Sequence, residues 1–276
     1  MKVVDFCRSI LEGEDLKSKL EGPLDLCFDD PSDQMDSFDL TSYPKRPKEL
    51  QISEKKLKFP AKGTLGNDHN RAKALHFFAN HELLAIEMMA AALLIFPQNS
   101  SDLVKLKKGI LEALCDEQKH LRLYIARMNE LGIDFGDFPV NGFFWEKMKD
   151  LNTPAKYLCG MALTFEAANL DFSYYYGNLF DALGDKKSAQ IMNIIYTDEI
   201  THVALGRKFL NDWKKNQTLW QYYLSELPFP LTPARSIGIE LCIEARKKVG
   251  LGDDFIEKIS NYQDDFSITT RKEWKK

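Results

Sequence analysis

The chain is predicted to be all-α, with a four-helix bundle at its centre and helical additions at both ends. Three observations predict this. Long apolar runs carry isolated acids at helical rather than strand spacing. Two copies of Asp-Glu-x-x-His occur, at Asp116-Glu117-Gln118-Lys119-His120 and Asp198-Glu199-Ile200-Thr201-His202. Each copy follows by about 34 residues a lone glutamate in an apolar segment, Glu82 in the first case and Glu166 in the second. The lone glutamates are 84 residues apart and the motif glutamates 82, so the layout is duplicated, with one helix pair in each half.

Residues 1–22 read as a short amphipathic helix. From Gly22 to about Asn70 no long period holds. Asp25, Asp29, Asp30, Asp33, Asp36 and Asp39 are followed by Lys45, Arg46, Lys48, Lys55, Lys56, Lys58 and Lys62. A segment polarised in this way is expected to wrap the core as an extended arm, making 1–69 a first region. The bundle, 70–212, opens with a helix from near Asn70 that runs through Glu82 to about Phe96. Pro97-Gln98-Asn99-Ser100-Ser101 breaks it, and Ser101 or Asp102 is placed to cap the returning helix. Leu131 to Asn141 is a Gly/Pro-punctuated crossover, and the adjacent Phe143, Phe144 and Trp145 are suited to cover one end of the bundle. The second pair runs from Glu166 to about Leu183, turns at Gly184-Asp185 and climbs back from Lys186 through Glu199. Beyond Trp213, a C-terminal helical extension (213–276) contains Trp220, Pro228, Pro230 and Pro233. A helix from about Ala234 to Val249 follows, and Arg271 to Lys276 reads as a solvated tail.

Helix geometry brings the motif residues together. In Glu-x-x-His the two side chains lie on one helix face and can grip one ion. From Glu82 the helix continues for roughly 14 residues, about 21 Å of rise, and the return to Glu117 takes about 16 residues. Glu82 and Glu117 therefore lie at one level, and the same holds for Glu166 and Glu199. Four carboxylates and two imidazoles form the ligand list of a two-metal site in a helix bundle. Alone, each Glu-x-x-His would read as a solvated helix face. An ionised carboxylate within helices as apolar as those around Glu82 and Glu166, however, costs several kcal/mol unless paired or metal-bound. Glu82, Glu117, His120, Glu166, Glu199 and His202 are thus the expected metal ligands, and the four glutamates carry the chemistry.

Neighbouring residues take supporting roles. Glu87 and Asp171 each follow a lone glutamate by five residues, about 140° round the helix. They are assigned to hydrogen bonding around the ligands or between helices. Asp116 and Asp198 are expected to orient the histidine of the opposite helix. Tyr124 and Tyr196 are candidates for lying near the metals. His81 points elsewhere on its helix, and His69 and His76 cap or pack.

Composition narrows the function. The chain has 276 residues, 44% hydrophobic and 28% charged, and a net charge of -4, which gives no basic field for nucleic acid. The longest uncharged apolar run, around Met88 to Phe96, is too short to span a bilayer, and the charged N-terminus is no signal peptide. Cys7, Cys27, Cys115, Cys159 and Cys242 are scattered and form no Cys-x-x-Cys, as expected for reduced thiols in the cytoplasm.

Together these residues resemble the ferritin-like domain-of-unknown-function 455 family, a bacterial branch of the di-iron carboxylate proteins. The resemblance rests on Arg71-Ala-Lys-Ala-Leu-His-Phe-Phe-Ala-Asn-His-Glu82-Leu-Leu-Ala-Ile-Glu87, on Asp116-Glu117-x-x-His120, and on Leu131-Gly-Ile-Asp-Phe-Gly-Asp-Phe-Pro-Val140. Glu166 with Asp171, Asp198-Glu199-x-x-His202, and the stretch from Pro228-x-Pro230 through Ala234-Arg235 add to it. The family is similar to ferritins, rubrerythrins and the tRNA hydroxylase acting on a methylthio-isopentenyl adenosine. The resemblance implies the same six ligands, holding two iron ions, with manganese or a mixed iron–manganese pair as the alternative. The expected activity is an O2-dependent oxidase or hydroxylase. Its substrate is a small molecule or is RNA-borne, its partner an electron-donor protein, and its assembly a monomer or homodimer away from membranes. Iron storage or detoxification by ferroxidase chemistry is the second reading.

Overall fold

The computed structural model, which describes residues 1–22, 38–55 and 57–265, is all-α. Among the described residues the strand-like pairing is confined to an isolated bridge between Ile52 and Val140. Asp25 to Asp36, Cys27, Lys56 and the ending from Arg271 lie outside the described residues. The chain divides into two compact units, Met1–Asn152 and Thr153–Lys276, and each contains one long helix pair.

The first unit begins with α1 (Val3–Glu12) and α2 (Leu16–Leu20). The single helix expected over 1–22 is therefore interrupted. A Cβ at Gly13 would collide with Ser18, and Asp15 starts a new helix by accepting the Ser18 N–H at 2.7 Å. Helix α1 buries Val3, Phe6, Cys7, Ile10 and Leu11, one stripe at helical spacing, against α3 (Asp68–Ile95). Asn67 caps α3, accepting the Asn70 N–H at 3.3 Å. Ser100, rather than Ser101 or Asp102, caps α4 (Ser101–Glu130) by accepting the Leu103 N–H at 3.3 Å. The link between α3 and α4 is so short that the chain must reverse, and the two helices pack along their lengths as an antiparallel pair. By length and composition α3 could cross a bilayer, yet 89% of its apolar window is buried inside the protein. Helix α5 (Trp145–Met148) closes the unit, with the Trp145 indole N–H donating to Ser42 O at 2.9 Å.

The arm between α2 and α3 is tied down by charge. Arg46 spans the Glu87 carboxylate with contacts of 2.9 and 2.5 Å, and Lys19 Nζ lies 3.5 Å from the same group. All three side chains are buried. The Lys19 ammonium also donates to Ile10 O and Lys45 O. Burial lowers its pKa, against the pull of Glu87.

The crossover after α4 rests on a neutral histidine. Buried His76 accepts the Gly136 N–H at Nε2, 3.1 Å away, between the rings of Phe135 and Phe138. Burial pushes its pKa down to about 4, although the Asp137 charge acts the other way. The unfolded chain binds this proton near pH 6.5 and the folded chain near 4, so the stabilisation is complete above about 6.5 and is lost as pH falls through that window. The full loss is up to about 3 kcal/mol. His81, between Phe77 and Phe144, is shifted to about 4 by burial and adds in the same direction. Urea unfolding at pH 7 and pH 4.5 should show this loss. The His76→Gln chain, whose amide oxygen accepts the same N–H without titrating, should lose distinctly less.

In the second unit α6 (Pro154–Gly160), a π-helical turn at Met161–Glu166, and α7 (Ala167–Ala182) follow one another without a break. Gly184 adopts φ 82°, and Asp185 then caps α8 (Lys186–Trp213) by accepting the Ser188 N–H at 3.0 Å. Gly206 lets α8 approach the π turn, because a Cβ there would collide with Ala162. Among the described residues, α9 (Leu219–Glu226), α10 (Ile243–Val249) and α11 (Asp253–Ser260) follow. The helix expected over Ala234–Val249 is not continuous: a 3-10 turn at Pro233–Ser236 is followed by irregular chain up to Ile243. That irregular chain aims the N–H groups of Gly238 and Cys242 at Asp171, at 2.9 and 2.7 Å, which a regular helix would have turned inward.

Candidate metal centre

Each unit places one Glu/Glu/His triad in its interior. In the first, Glu82 comes from α3, and Glu117 and His120 come from one face of α4. One oxygen or nitrogen atom from each lies within 4.8 Å of the others. His120 Nδ1 is 3.4 Å from Glu117 Oε2 and 3.8 Å from Glu82 Oε2. All three residues are at most 2% exposed. The Glu82 carboxyl is held well above the usual range, first by burial and then by the charge and hydrogen bond of Glu117, with His120 offsetting part of this.

The second unit repeats the arrangement with Glu166 from the end of the π turn and Glu199 and His202 from α8. Again one donor atom from each residue lies within 4.8 Å of the others. His202 Nδ1 is 3.3 Å from Glu199 Oε2, and the three residues are at most 4% exposed. The Asn169 amide donates to Glu199 Oε1 at 2.7 Å. Glu199 Oε2 is buried and receives no hydrogen bond. Hard oxygen donors plus imidazole, with an acceptor atom left over, suit a cation of the iron or manganese type. The residues present could hold a metal ion.

Other expected residues fall as follows. Glu87 and Asp171 are engaged with arginines. Glu87 meets Arg46 of the arm, and Asp171 meets Arg246 of α10, whose Nη2 is 2.9 Å from Oδ2. Asp116 accepts from Lys119 Nζ at 2.7 Å. Tyr124 is buried with its ring stacked on Phe78, 6.1 Å between centroids. Tyr196 packs against Tyr174 at 5.8 Å, and its hydroxyl is pushed up to about 12, by burial first and then by Cys242.

Sequence reasoning missed Asn169 and the π turn. Asn169 sits three residues after Glu166, the same spacing that singled out Glu-x-x-His, so that rule could have found it. The π turn has no such signal. Within it the Thr164 hydroxyl donates to Cys159 O and takes a hydrogen bond from the buried Tyr223 hydroxyl, both at 2.7 Å. Tyr223 lies on α9, remote in sequence. π turns widen a helix by one residue and are frequent at functional sites.

The family described as "Protein of unknown function (DUF455)" matches residues 14–257. A protein of Haemophilus influenzae (strain ATCC 51907 / DSM 11121 / KW20 / Rd), described as "Uncharacterized protein", is 25% identical over 189 residues. The aligned part is 65% of this chain and 62% of that protein, so the chain spans less than two thirds of the relative. No solved structure matches.

Proposed function

The chain belongs to the DUF455 family, and from its two buried triads we propose that it is a ferritin-like di-iron carboxylate protein, an O2-dependent oxidase or hydroxylase. One observation carries the reading: the same buried set of two glutamates and a histidine occurs twice, at matching helical positions. Six such groups, Glu82, Glu117, His120, Glu166, Glu199 and His202, would be a heavy burden on folding without cations. They would hold two iron ions, or manganese in one or both positions. When bound, a ferrous pair supplies two of the electrons that reduce dioxygen. The protein's own part is to hold the carboxylates in register and keep bulk water out. In a hydroxylation the substrate bond would supply the remaining electrons, so an electron-donor protein would be needed to return the iron pair to its ferrous state for each turnover. The substrate is a small molecule or is RNA-borne. The free thiols at Cys115, Cys159 and Cys242 fit a reducing compartment such as the cytoplasm.

The test is oxygen uptake. Protein loaded anaerobically with two equivalents of Fe(II) should consume O2 in proportion to bound iron and gain near-ultraviolet and visible absorbance. Bound iron that consumes no O2 beyond a chelated control would contradict the oxidoreductase reading, and no bound iron would contradict the metal site itself.

A further inference from the structure

The π turn at Met161–Glu166 touches both α8 and α9, and it ends on Glu166. Its backbone follows the wide pattern: the Ala167 N–H donates to Ala162 O, five residues back. Ala162 packs on α8 at Gly206, where a Cβ would collide with it. Glu166 lies four residues after Ala162, and His202 lies four residues before Gly206. The two steps match, so the turn seated on Gly206 delivers Glu166 to His202 and Glu199. Thr164, midway between Ala162 and Glu166, instead meets α9. Its hydroxyl donates to Cys159 O and accepts from the Tyr223 hydroxyl, both at 2.7 Å. Resting on the two-metal reading, we propose that Tyr223 and Thr164 are positioning residues, whose hydroxyl pair holds the π turn in the register that directs Glu166 at Glu199 and His202.

A π turn is rarer than an α turn and needs support from its surroundings. Here the support comes from side chains. The Thr164 hydroxyl binds the carbonyl five residues back, across the widened turn, and Tyr223 supplies the donor that this buried oxygen would otherwise lack. Both residues are fully buried, so water cannot replace either bond. Without the pair, the turn is free to tighten toward α spacing, which changes direction by about 100° for each residue taken up. Ala162 and Glu166 then fall out of step with Gly206 and His202. Ala162 has no room to shift against Gly206, so the displacement falls on Glu166. The Tyr223 ring is held independently of its hydroxyl, packed against Trp220 and Phe255 with centroids 5.9 and 5.6 Å away.

Anaerobic titration of the full chain with Fe(II) and with Mn(II) tests this, together with electron paramagnetic resonance spectra of the Mn(II)-loaded protein. Tyr223→Phe removes one oxygen and keeps the ring. Thr164→Val removes the other hydroxyl at similar size, and Thr164→Ser keeps it. Tyr223→Phe and Thr164→Val should each weaken metal loading by about 10-fold and alter the Mn(II) spectrum, while Thr164→Ser stays within about 2-fold. The double variant Tyr223→Phe, Thr164→Val should bind no more weakly than the worse single, since both act through one turn. Melting in chelator measures folding separately. Unchanged affinity and spectrum in Tyr223→Phe and Thr164→Val, whatever their melting temperatures, overturns the proposal and leaves the two-metal reading intact. Additive losses in the double variant also overturn it. Failure of the unsubstituted protein to bind either ion overturns both.

Discussion

Arg246→Ala is expected to lower folding stability by about 3–5 kcal/mol, because it strands a buried carboxylate. Arg246 is 2% exposed and Asp171 is fully buried. The guanidinium contacts both Asp171 oxygens and also donates to Ala167 O and Ser236 O, each at 2.8 Å. Burial already pushes the Asp171 carboxyl up, against the pull of Arg246 and the N–H groups of Cys242 and Gly238. Removing the arginine leaves that carboxyl with two backbone donors and no counter-charge. The double variant Arg246→Ala, Asp171→Asn should recover part of the loss, since a neutral amide needs no cation. Urea unfolding of the four chains gives the coupling energy, and purely additive effects would mean that the pair does not act as a unit.

Glu117→Gln is expected to separate metal binding from folding. The isosteric amide removes one charge from the triad and leaves its shape. Metal loading should weaken by at least about 100-fold, more than a supporting residue would cause. The metal-free chain should be as stable as the unsubstituted one, or more stable by about 1 kcal/mol, because Glu82 no longer faces a second buried carboxylate. A structural residue would behave in the opposite way, losing stability with no particular effect on metal. Metal content after anaerobic loading, together with melting in chelator, distinguishes the two.

The helices were legible because their signals are local. Loop length and apolar periodicity bring Glu82 level with Glu117, and Glu166 level with Glu199, and the structure unites each pair with its histidine. The spacing rule likewise turned Glu87 and Asp171 off the ligand face, but not to their actual partners. Arg46 and Arg246 are 41 and 75 residues distant from those acids, and no local rule pairs groups so far apart. The π turn escaped for a related reason: Thr164 is stabilised by Tyr223, 59 residues later. The irregular chain after Ser236 shares this cause, since contacts to Asp171 override a helical pattern that the sequence alone supports. The break at Gly13 is local, set by the close approach of Ser18 and the cap at Asp15.

The most direct test of the two-metal claim is anomalous diffraction at the iron edge from crystals grown anaerobically with ferrous salt. Two peaks per chain, within coordination distance of Glu82, Glu117, His120, Glu166, Glu199 and His202, are the predicted result. Crystals in which these side chains hold only water, or in which iron lies elsewhere on the protein, would contradict it.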